Sequence, residues 1–246
     1  MTTSGTVTFN PDLNELIEEA YERCGIEVRT GYEHRTARRS LNLMFTEWSN
    51  RGINLWTIEQ GTPIAMTTGT ITYALPVDTV DIVEQVIRTQ TGIPQTDINI
   101  SRISVDTYAT IPNKNAQGRP IQVWVNRQTG QTYPLPGPNG TNQTTGVLPP
   151  SINVWPAPDQ DNYYTFVYWR LRRMQDAGSG SNVQDIPFRL INCLVSGLAY
   201  YLSMKSPEAA QRMPQLKQMY DEQLMLALDE DREKAPLRIA PRQLFY

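Results

Sequence analysis

Apolar residues recur every three or four positions near the start of the chain, which is the spacing of one buried face of a helix. The first such helix is predicted to begin at Asn10-Pro11, an N-cap followed by proline at the first helical position, and to end at Gly25. A second helix is predicted from about Glu33 to Arg51, closed by Gly52. The predicted buried residues are Leu13, Leu16, Ile17, Ala20, Tyr21 and Cys24 in the first helix, and Ala37, Leu41, Met44, Phe45 and Trp48 in the second.

The same spacing returns near the other end of the chain. A third helix is predicted from about Asp185 to Leu202, and it is apolar around most of its circumference, which indicates the centre of a helical bundle. A fourth helix is predicted after Ser206 as N-cap. Pro214 is expected to kink it or to split off its first turn, because proline lacks the N–H that would bond back one turn. Its predicted apolar stripe is Leu216, Met219, Tyr220, Leu224, Ala227 and Leu228.

Between these ends the period of the apolar residues falls to two, which is typical of strands. The clearest strand runs from Tyr163 to Leu171, and it alternates between two faces. One of these faces carries Tyr164, Phe166, Tyr168 and Arg170. Shorter strands are predicted at residues 83–88, 98–100, 121–125 and 152–155, and a short helix at 104–111. A turn at Thr67–Gly69 predicts a hairpin between the residues around Ile64 and those that follow Ile71.

Two further segments fit neither pattern. Residues 128–150 are rich in Gly, Pro, Thr and Asn, and they are predicted to form a long loop that serves as a contact arm. Residues 236–246 form an extended C-terminal arm. The predicted fold class is therefore α+β: an antiparallel helical bundle built from both chain ends (1–54 and 176–235), with an inserted β-rich region (55–175).

Composition and charge narrow the class of protein. The 246 residues include 22 basic and 25 acidic side chains, a net charge of −3, so a general attraction to nucleic acid is not supported. Cys24 and Cys193 lie far apart and form no CxxC, which predicts two buried thiols rather than a disulfide framework or a zinc site. We expect no signal peptide and no membrane-spanning segment, and assembly of the chain in a cytosol.

We find no pattern that predicts catalysis, and we expect no enzyme activity, no metal and no cofactor. His34 is the only histidine, and one isolated copy excludes most triads and zinc sites. The acidic run 229–233 lacks the spacing and the glycine of a calcium loop, so it is predicted to be a solvated helix end. The basic cluster Arg35, Arg38 and Arg39 is either a solvated helix face or a site for an acidic partner or a phosphate.

The C-terminal arm carries a sharper hypothesis. Pro236 and Pro241 favour an extended conformation that loses little entropy on docking, and aromatic and Arg side chains are frequent interface anchors. The predicted binding residues are Leu237, Arg238, Ile239, Arg242, Leu244, Phe245 and Tyr246. The alternative is that the arm packs onto its own helical bundle.

Several segments of the chain carry a resemblance to a known family. They are GIEVRTGYEHRTARRSLNLMFTEWSNRGINLWTIEQGT (25–62), RISVDTYATIPNK (102–114), GRPIQVWVNRQ (118–128), INVWPAPD (152–159) and the final LDEDREKAPLRIAPR. In this order they resemble the head-to-tail adaptor, or connector, proteins of short-tailed bacteriophages, the tail tubular protein A-like family. The resemblance spans nearly the whole chain, and the polar 128–150 segment is longer than expected for such a chain.

The resemblance implies a structural virion protein at the head–tail junction, assembled in the bacterial cytoplasm. It implies a homo-oligomeric ring of about twelve copies under the portal vertex. Residues 236–246 would grip the portal protein, the opposite face would receive the tail nozzle protein, and double-stranded DNA would be ejected through the lumen without specific binding. A mildly acidic chain suits that passage, because a basic channel would hold the DNA.

One alternative comes from a different functional class. The chain would be a tail or baseplate component that binds a host surface glycan through the aromatic residues of its β region. That function requires Trp124, Trp155 or Trp169 to be exposed, since sugars stack on open aromatic faces. More often, aromatic residues that alternate with Val and Thr form the core of a sheet.

Overall fold

The computed structural model of the chain describes residues 5, 9–27, 31–90, 94–127, 132–136, 142–147 and 149–232. Its helices are α1 (Leu13–Cys24), α2 (Gly31–Arg51), α3 (Val105–Ala109), α4 (Ile191–Ser203) and α5 (Met213–Glu230). Its strands are β1 (Ile58–Gln60), β2 (Ile64–Ala65), β3 (Thr72–Ala74), β4 (Thr79–Thr89), β5 (Thr96–Asn99), β6 (Ser101–Arg102), β7 (Gln122–Asn126), β8 (Thr132–Pro136), β9 (Asn142–Val147), β10 (Ser151–Trp155) and β11 (Tyr164–Arg172). The mixed α+β class is confirmed.

The chain divides into two compact units. The helical unit consists of Met1–Trp56 together with Met174–Tyr246, and the β unit consists of Thr57–Arg173. The large clusters of buried apolar side chains follow the same division, one in each unit. Each unit is therefore held together by a core of its own.

Helix α1 begins at Leu13, not at the predicted Asn10-Pro11. Asp12 is the N-cap: its carboxylate accepts from the Glu15 N–H at 3.0 Å, and the Glu15 carboxylate accepts from the Asp12 N–H at 3.1 Å. This reciprocal pair is a capping box, which Asn10 cannot form because Leu13 stands three residues after it. The predicted end is confirmed, since Gly25 has φ 75°, a left-handed conformation that favours glycine.

The buried stripes predicted for α1 and α2 are confirmed, because all their members lie in the core of the helical unit. The stripe predicted for α5 is correct only in part. Its buried members are Leu216, Tyr220, Leu224 and Ala227. Met219 and Leu228 are exposed, so the predicted stripe was too wide.

Pro214 separates α5 from the turn that follows Ser206, as predicted, but the predicted start of the α-helix at Ser206 is wrong. Pro207–Ala209 form a separate 3-10 turn after Ser206, and the Ser206 side chain makes no capping hydrogen bond. The α-helix begins only at Met213, with Pro214 in its first turn, where the missing N–H breaks no helical bond. A 3-10 turn at Phe188–Leu190 likewise precedes α4, so that helix begins later than predicted.

Helix α4 packs against α1, α2 and α5 and is buried on most of its surface. Its buried residues are Cys193, Leu194, Val195, Ser196, Gly197, Leu198, Ala199, Leu202 and Ser203. At Gly197 a Cβ would lie 2.5 Å from Met44 Sδ and 2.7 Å from Tyr220 Cε2. The position therefore has room for glycine alone.

A short polar chain joins α2, α4 and α5 inside this core. The indole N–H of Trp48 donates to the Tyr220 hydroxyl at 3.1 Å, and the Tyr201 hydroxyl donates to Glu47 Oε2 at 2.5 Å. Burial, together with the hydrogen bond to Glu47, raises the pKa of Tyr201 to about 12. Because each of these groups is paired, the polar atoms do not oppose the packing around them.

The β unit contains two larger sheets. One has the strand order β1-β11-β4-β5, with β2 also on β11, and the other has the order β3-β10-β7-β6. The hairpin predicted at Thr67–Gly69 is wrong, because β2 pairs with β11 whereas β3 pairs with β10. The chain passes from one sheet to the other at this turn. Side chains of both sheets share one core, whose buried members include Ile82, Ile87, Phe166 and Tyr168 from the first sheet and Val123, Val125, Ile152 and Val154 from the second.

Arg170 places a buried charge on the inward face of β11. Its guanidinium donates to Glu59 Oε1 at 2.6 and 3.0 Å, to Asp78 Oδ1 at 2.5 Å and to Thr79 Oγ1 at 2.8 Å. The hydrogen bonds from Arg170 hold the pKa of the Asp78 carboxyl below its ordinary value. The charge is thus paired, and the network joins β1 and β11 to the start of β4.

Residues 128–150 contain more regular structure than the predicted loop. Thr132–Pro136 and Asn142–Val147 pair antiparallel as a two-stranded sheet. Proline and glycine obscure the alternation of apolar and polar residues that identifies other strands, and the same residues are typical of turns and edge strands. The prediction of a long loop without secondary structure is therefore wrong for these two stretches.

Replacing Gly197 with alanine is expected to lower the free energy of unfolding by about 1–3 kcal/mol, the usual cost of overpacking a core. The new methyl group would meet Met44 and the ring of Tyr220. Urea unfolding measures the loss. Gly31→Ala is the matched control, because a Cβ at Gly31 has nothing within 4 Å. Equal losses in both variants would contradict the close approach at Gly197.

Candidate interaction surfaces

The residues considered for chemistry lie apart from one another. His34 is half-buried on α2, and Cys24 and Cys193 are buried in the helical unit. Burial raises the pKa of Cys24 to about 11 and that of Cys193 to about 12, so both thiols stay protonated near neutral pH. Within the described ranges, no three His, Cys, Asp or Glu side chains are grouped as metal ligands would be. Among those same residues, no helix is long and apolar enough to cross a membrane.

The predicted arm residues Leu237, Arg238, Ile239, Arg242, Leu244, Phe245 and Tyr246 lie outside the described residues. Their role in binding therefore stays a prediction. What the structure does describe is the end of α5, from which the chain continues toward the arm.

Asp231 fixes the chain directly after α5. Its side chain is 1% exposed, and Oδ1 accepts from Arg189 Nη2 at 3.1 Å. The other carboxylate oxygen accepts from the backbone N–H groups of Asn54 and Leu55 at 2.8 and 3.1 Å. The prediction of a solvated helix end therefore holds for the exposed Asp229, which pairs with the nearby Arg232, but is wrong for Asp231.

Helix α5 leaves apolar side chains open on the side opposite its buried stripe. Met225 is 67% exposed and Leu226 is 61% exposed. Met219 and Leu228 are also exposed, but they flank the buried stripe on its two sides, so Met225 and Leu226 alone are called the α5 face. Contiguous exposed apolar residues are characteristic of contact sites.

A groove of about 630 Å³ runs between α1 and the start of α4. Its apolar lining includes Leu16, Ile191 and Val195, and at one end two phenyl rings stand open. Phe9 is 70% exposed and Phe188 is 71% exposed, with their rings edge to face at 6.4 Å. The acidic rim consists of Glu15, Glu18, Glu19 and Glu22, all exposed. This feature is called the α1–α4 groove.

A third open surface lies on α2. Tyr32, Arg35, Arg39 and Leu43 follow one another at intervals of three or four residues, so they form one stripe, called the α2 face. Tyr32 is 69% exposed and Leu43 is 55% exposed. The stripe lies opposite the buried side of the same helix, which carries Ala37, Leu41, Met44 and Trp48.

Two of the three tryptophans of the β unit contact other residues of that unit. Trp124 stacks on Tyr108 of α3, with 5.2 Å between ring centroids, and Ser104 caps that helix. A short helix at 104–111 was predicted, and the observed one is Val105–Ala109. The Trp155 indole N–H donates to the Asn113 carbonyl at 3.0 Å. Trp169 on β11 is exposed.

Comparison with known protein families shows which class of protein carries these surfaces. The sequence matches the SU10 adaptor protein family over residues 12–240, which takes in both units and the beginning of the arm. The chain belongs to that family. No curated protein matches it. The family is one of phage adaptors, structural components of the virion that contact other head–tail proteins, and it is not an enzyme family.

The exposed apolar residues of this adaptor were not predicted, although the basic cluster on α2 was, and a signal for them existed. Periodicity was used to find buried stripes, and the large apolar residues outside those stripes were passed over. Phe9, Tyr32, Leu43 and Leu226 all stand outside the buried stripe of the nearest helix. Clusters of such residues are candidate contact surfaces.

Asp231→Ala is expected to destabilise the adaptor by about 2–4 kcal/mol, because two backbone N–H groups and Arg189 lose a buried, charged acceptor. Thermal or urea unfolding measures the change. Asp229→Ala is the control, since that carboxylate is exposed, and it should cost less than about 0.5 kcal/mol. Similar losses in the two variants would show that Asp231 is not the anchor.

The two thiols of the native adaptor are expected to resist an aromatic disulfide reagent, and raising the pH to about 9 should change little, since both pKa values lie far above that of an ordinary thiol. Both thiols should react once the chain is unfolded in urea. An added exposed thiol, Glu18→Cys, provides the positive control. Rapid labelling of the native wild-type chain would contradict the burial of Cys24 and Cys193.

Proposed function

We propose that this adaptor is a ring-forming subunit that joins the portal vertex to the tail nozzle, with about twelve copies around the DNA ejection channel. The observation that carries the proposal is the number of open faces on the helical unit. A subunit inside a closed ring needs two different faces for its neighbours and at least one more for the next component of the particle. The α1–α4 groove, the α2 face and the α5 face meet that need.

The α5 face and the arm are assigned to the portal side. Asp231 holds the chain where α5 ends, on the helix that carries Met225 and Leu226. From there the arm reaches the portal protein, which it contacts through Leu237, Arg238, Ile239, Arg242, Leu244, Phe245 and Tyr246. Fixing the origin of an arm limits the volume that its tip explores, which favours docking over free diffusion.

The remaining parts of the adaptor complete the proposal. The helical unit is an antiparallel bundle, and the β unit meets neighbouring copies or the nozzle. The net charge of −3 suits a lumen through which DNA passes without being held. The protein takes its place at the head–tail junction of a short-tailed phage, after synthesis in the host cytoplasm.

Glycan binding by the β unit is the second candidate function. It rests on Trp169, because Trp124 is stacked on Tyr108 and the Trp155 indole is bonded to the Asn113 carbonyl. A single open indole is a small platform for a sugar. Assembly at the head–tail junction therefore takes precedence.

Deletion of residues 236–246 is expected to abolish binding to the portal protein while leaving the helical unit folded. Co-sedimentation with the portal measures binding, and circular dichroism with urea unfolding checks the fold. The matched variant is the full-length chain with Arg238→Ala and Arg242→Ala, which keeps the apolar residues of the arm and should weaken binding rather than abolish it. Unchanged portal binding by the truncated chain would rule out the arm as the anchor.

A further inference from the structure

The α1–α4 groove and the α2 face carry opposite charges. On the groove side, Glu15, Glu18, Glu19 and Glu22 share one outward stripe of α1, opposite its buried residues. Only part of this charge is used inside the subunit: Glu15 closes the capping box and Glu19 pairs with Arg23 at 2.8 Å. Glu18 and Glu22 form no ion pair with another described residue.

The α2 face is basic and equally open. Arg35 and Arg39 of this face and the neighbouring Arg38 are exposed, and none of them forms an ion pair within the part of the chain that the structure describes. Lys205 lies close by, and burial together with the positive charge of Arg39 lowers its pKa. Tyr and Arg are also the residue types most enriched in the centres of protein interfaces.

One subunit cannot satisfy both surfaces by itself. Each stripe lies opposite the buried side of its helix, and the two buried sides belong to the same core, so both charged stripes point outward from it. Among the described residues, no ion pair joins a glutamate of α1 to an arginine of α2. A second copy of the chain carries the complement of each surface.

We propose that the α1–α4 groove of one subunit binds the α2 face of the next, and that this is the contact between neighbours in the ring. Glu18 and Glu22 meet Arg35 and Arg39, while Tyr32 and Leu43 cover the apolar lining beside Phe9 and Phe188. The contact joins two different surfaces, so a chain of bound copies always has one free groove at one end and one free α2 face at the other. Such a head-to-tail contact closes into a ring when its rotation permits. The inference rests on the ring that is proposed above.

The test is a cross-linking experiment on the full-length chain. Glu18→Cys and Arg39→Cys are introduced together, and a short bis-maleimide is added in concentrated solution. The native Cys24 and Cys193 are buried and stay out of the reaction. The double variant is expected to give a ladder of products beyond the dimer. A mixture of the two single variants should stop at the dimer, and each single variant alone should stay monomeric.

Charge reversals in the double-cysteine chain test the electrostatic complementarity. Adding Glu22→Lys should slow ladder formation about fivefold to tenfold, because one attractive contact becomes repulsive. Adding Arg35→Glu to that chain should restore the rate, since the charges are then exchanged rather than lost. Glu84→Lys on β4 changes the net charge by the same amount at an exposed residue that belongs to neither surface, and it should leave the rate unchanged.

Three results would overturn the contact. They are dimers from either single-cysteine variant, no product from the double variant, or no rescue by Arg35→Glu. Electron micrographs of the wild-type chain with the portal protein test the ring independently. If rings form and the charge reversals do not affect their assembly, this contact is wrong and the proposed function is unaffected. If no rings form, both proposals are wrong.

Discussion

A chain that is interrupted by a large insertion must bring its two halves together before either can bury a core. Two aspartates do this for the helical unit. The Asp231 carboxylate accepts from the backbone at Asn54 and Leu55, just before the β unit begins. Asp185 contacts both segments that flank the β unit. Its carbonyl accepts from the Trp56 indole at 2.9 Å, and its carboxylate accepts from the Gln175 N–H at 3.2 Å. The segments that flank the β unit are thereby tied to the chain that leads into α4, so these backbone groups are paired where the two ends of the helical unit meet.

The sequence predicts those parts of the fold that depend on near neighbours. The stripes of α1 and α2 and the alternation along β11 follow from backbone periods that operate within a few residues. The sequence does not predict the role of Asp231, because no neighbouring residue distinguishes this aspartate from the acidic residues around it. The partners of Asp231, Asn54 and Arg189, come from distant parts of the chain. The predicted hairpin between β2 and β3 is wrong for the same reason. A turn signal specifies where the chain bends, and not which strand the next segment pairs with.

Net charge conceals how the charges of this adaptor are arranged. A value of −3 for 246 residues suggests a nearly neutral surface. The helical unit instead separates its charges, with four glutamates along α1 and three arginines along the first half of α2. An even mixture of the same residues would have the same isoelectric point and no preferred partner. Separation gives each surface a complement, and like-charge repulsion penalises the wrong pairings of groove with groove or face with face.

The balance between solubility and assembly follows from the same surfaces. Exposed pairs of Glu and Arg contribute little each, and Phe9, Phe188, Tyr32 and Leu43 are too few to form a large apolar patch, so one contact of the proposed kind is weak. A free subunit then stays soluble. Binding of each arm to a portal would place neighbouring subunits side by side at a high effective concentration, where weak contacts become sufficient. In a closed ring every subunit makes the contact twice, so the last subunit closes two interfaces at once. The portal would thus determine where rings form, and the proposed contact would determine their handedness.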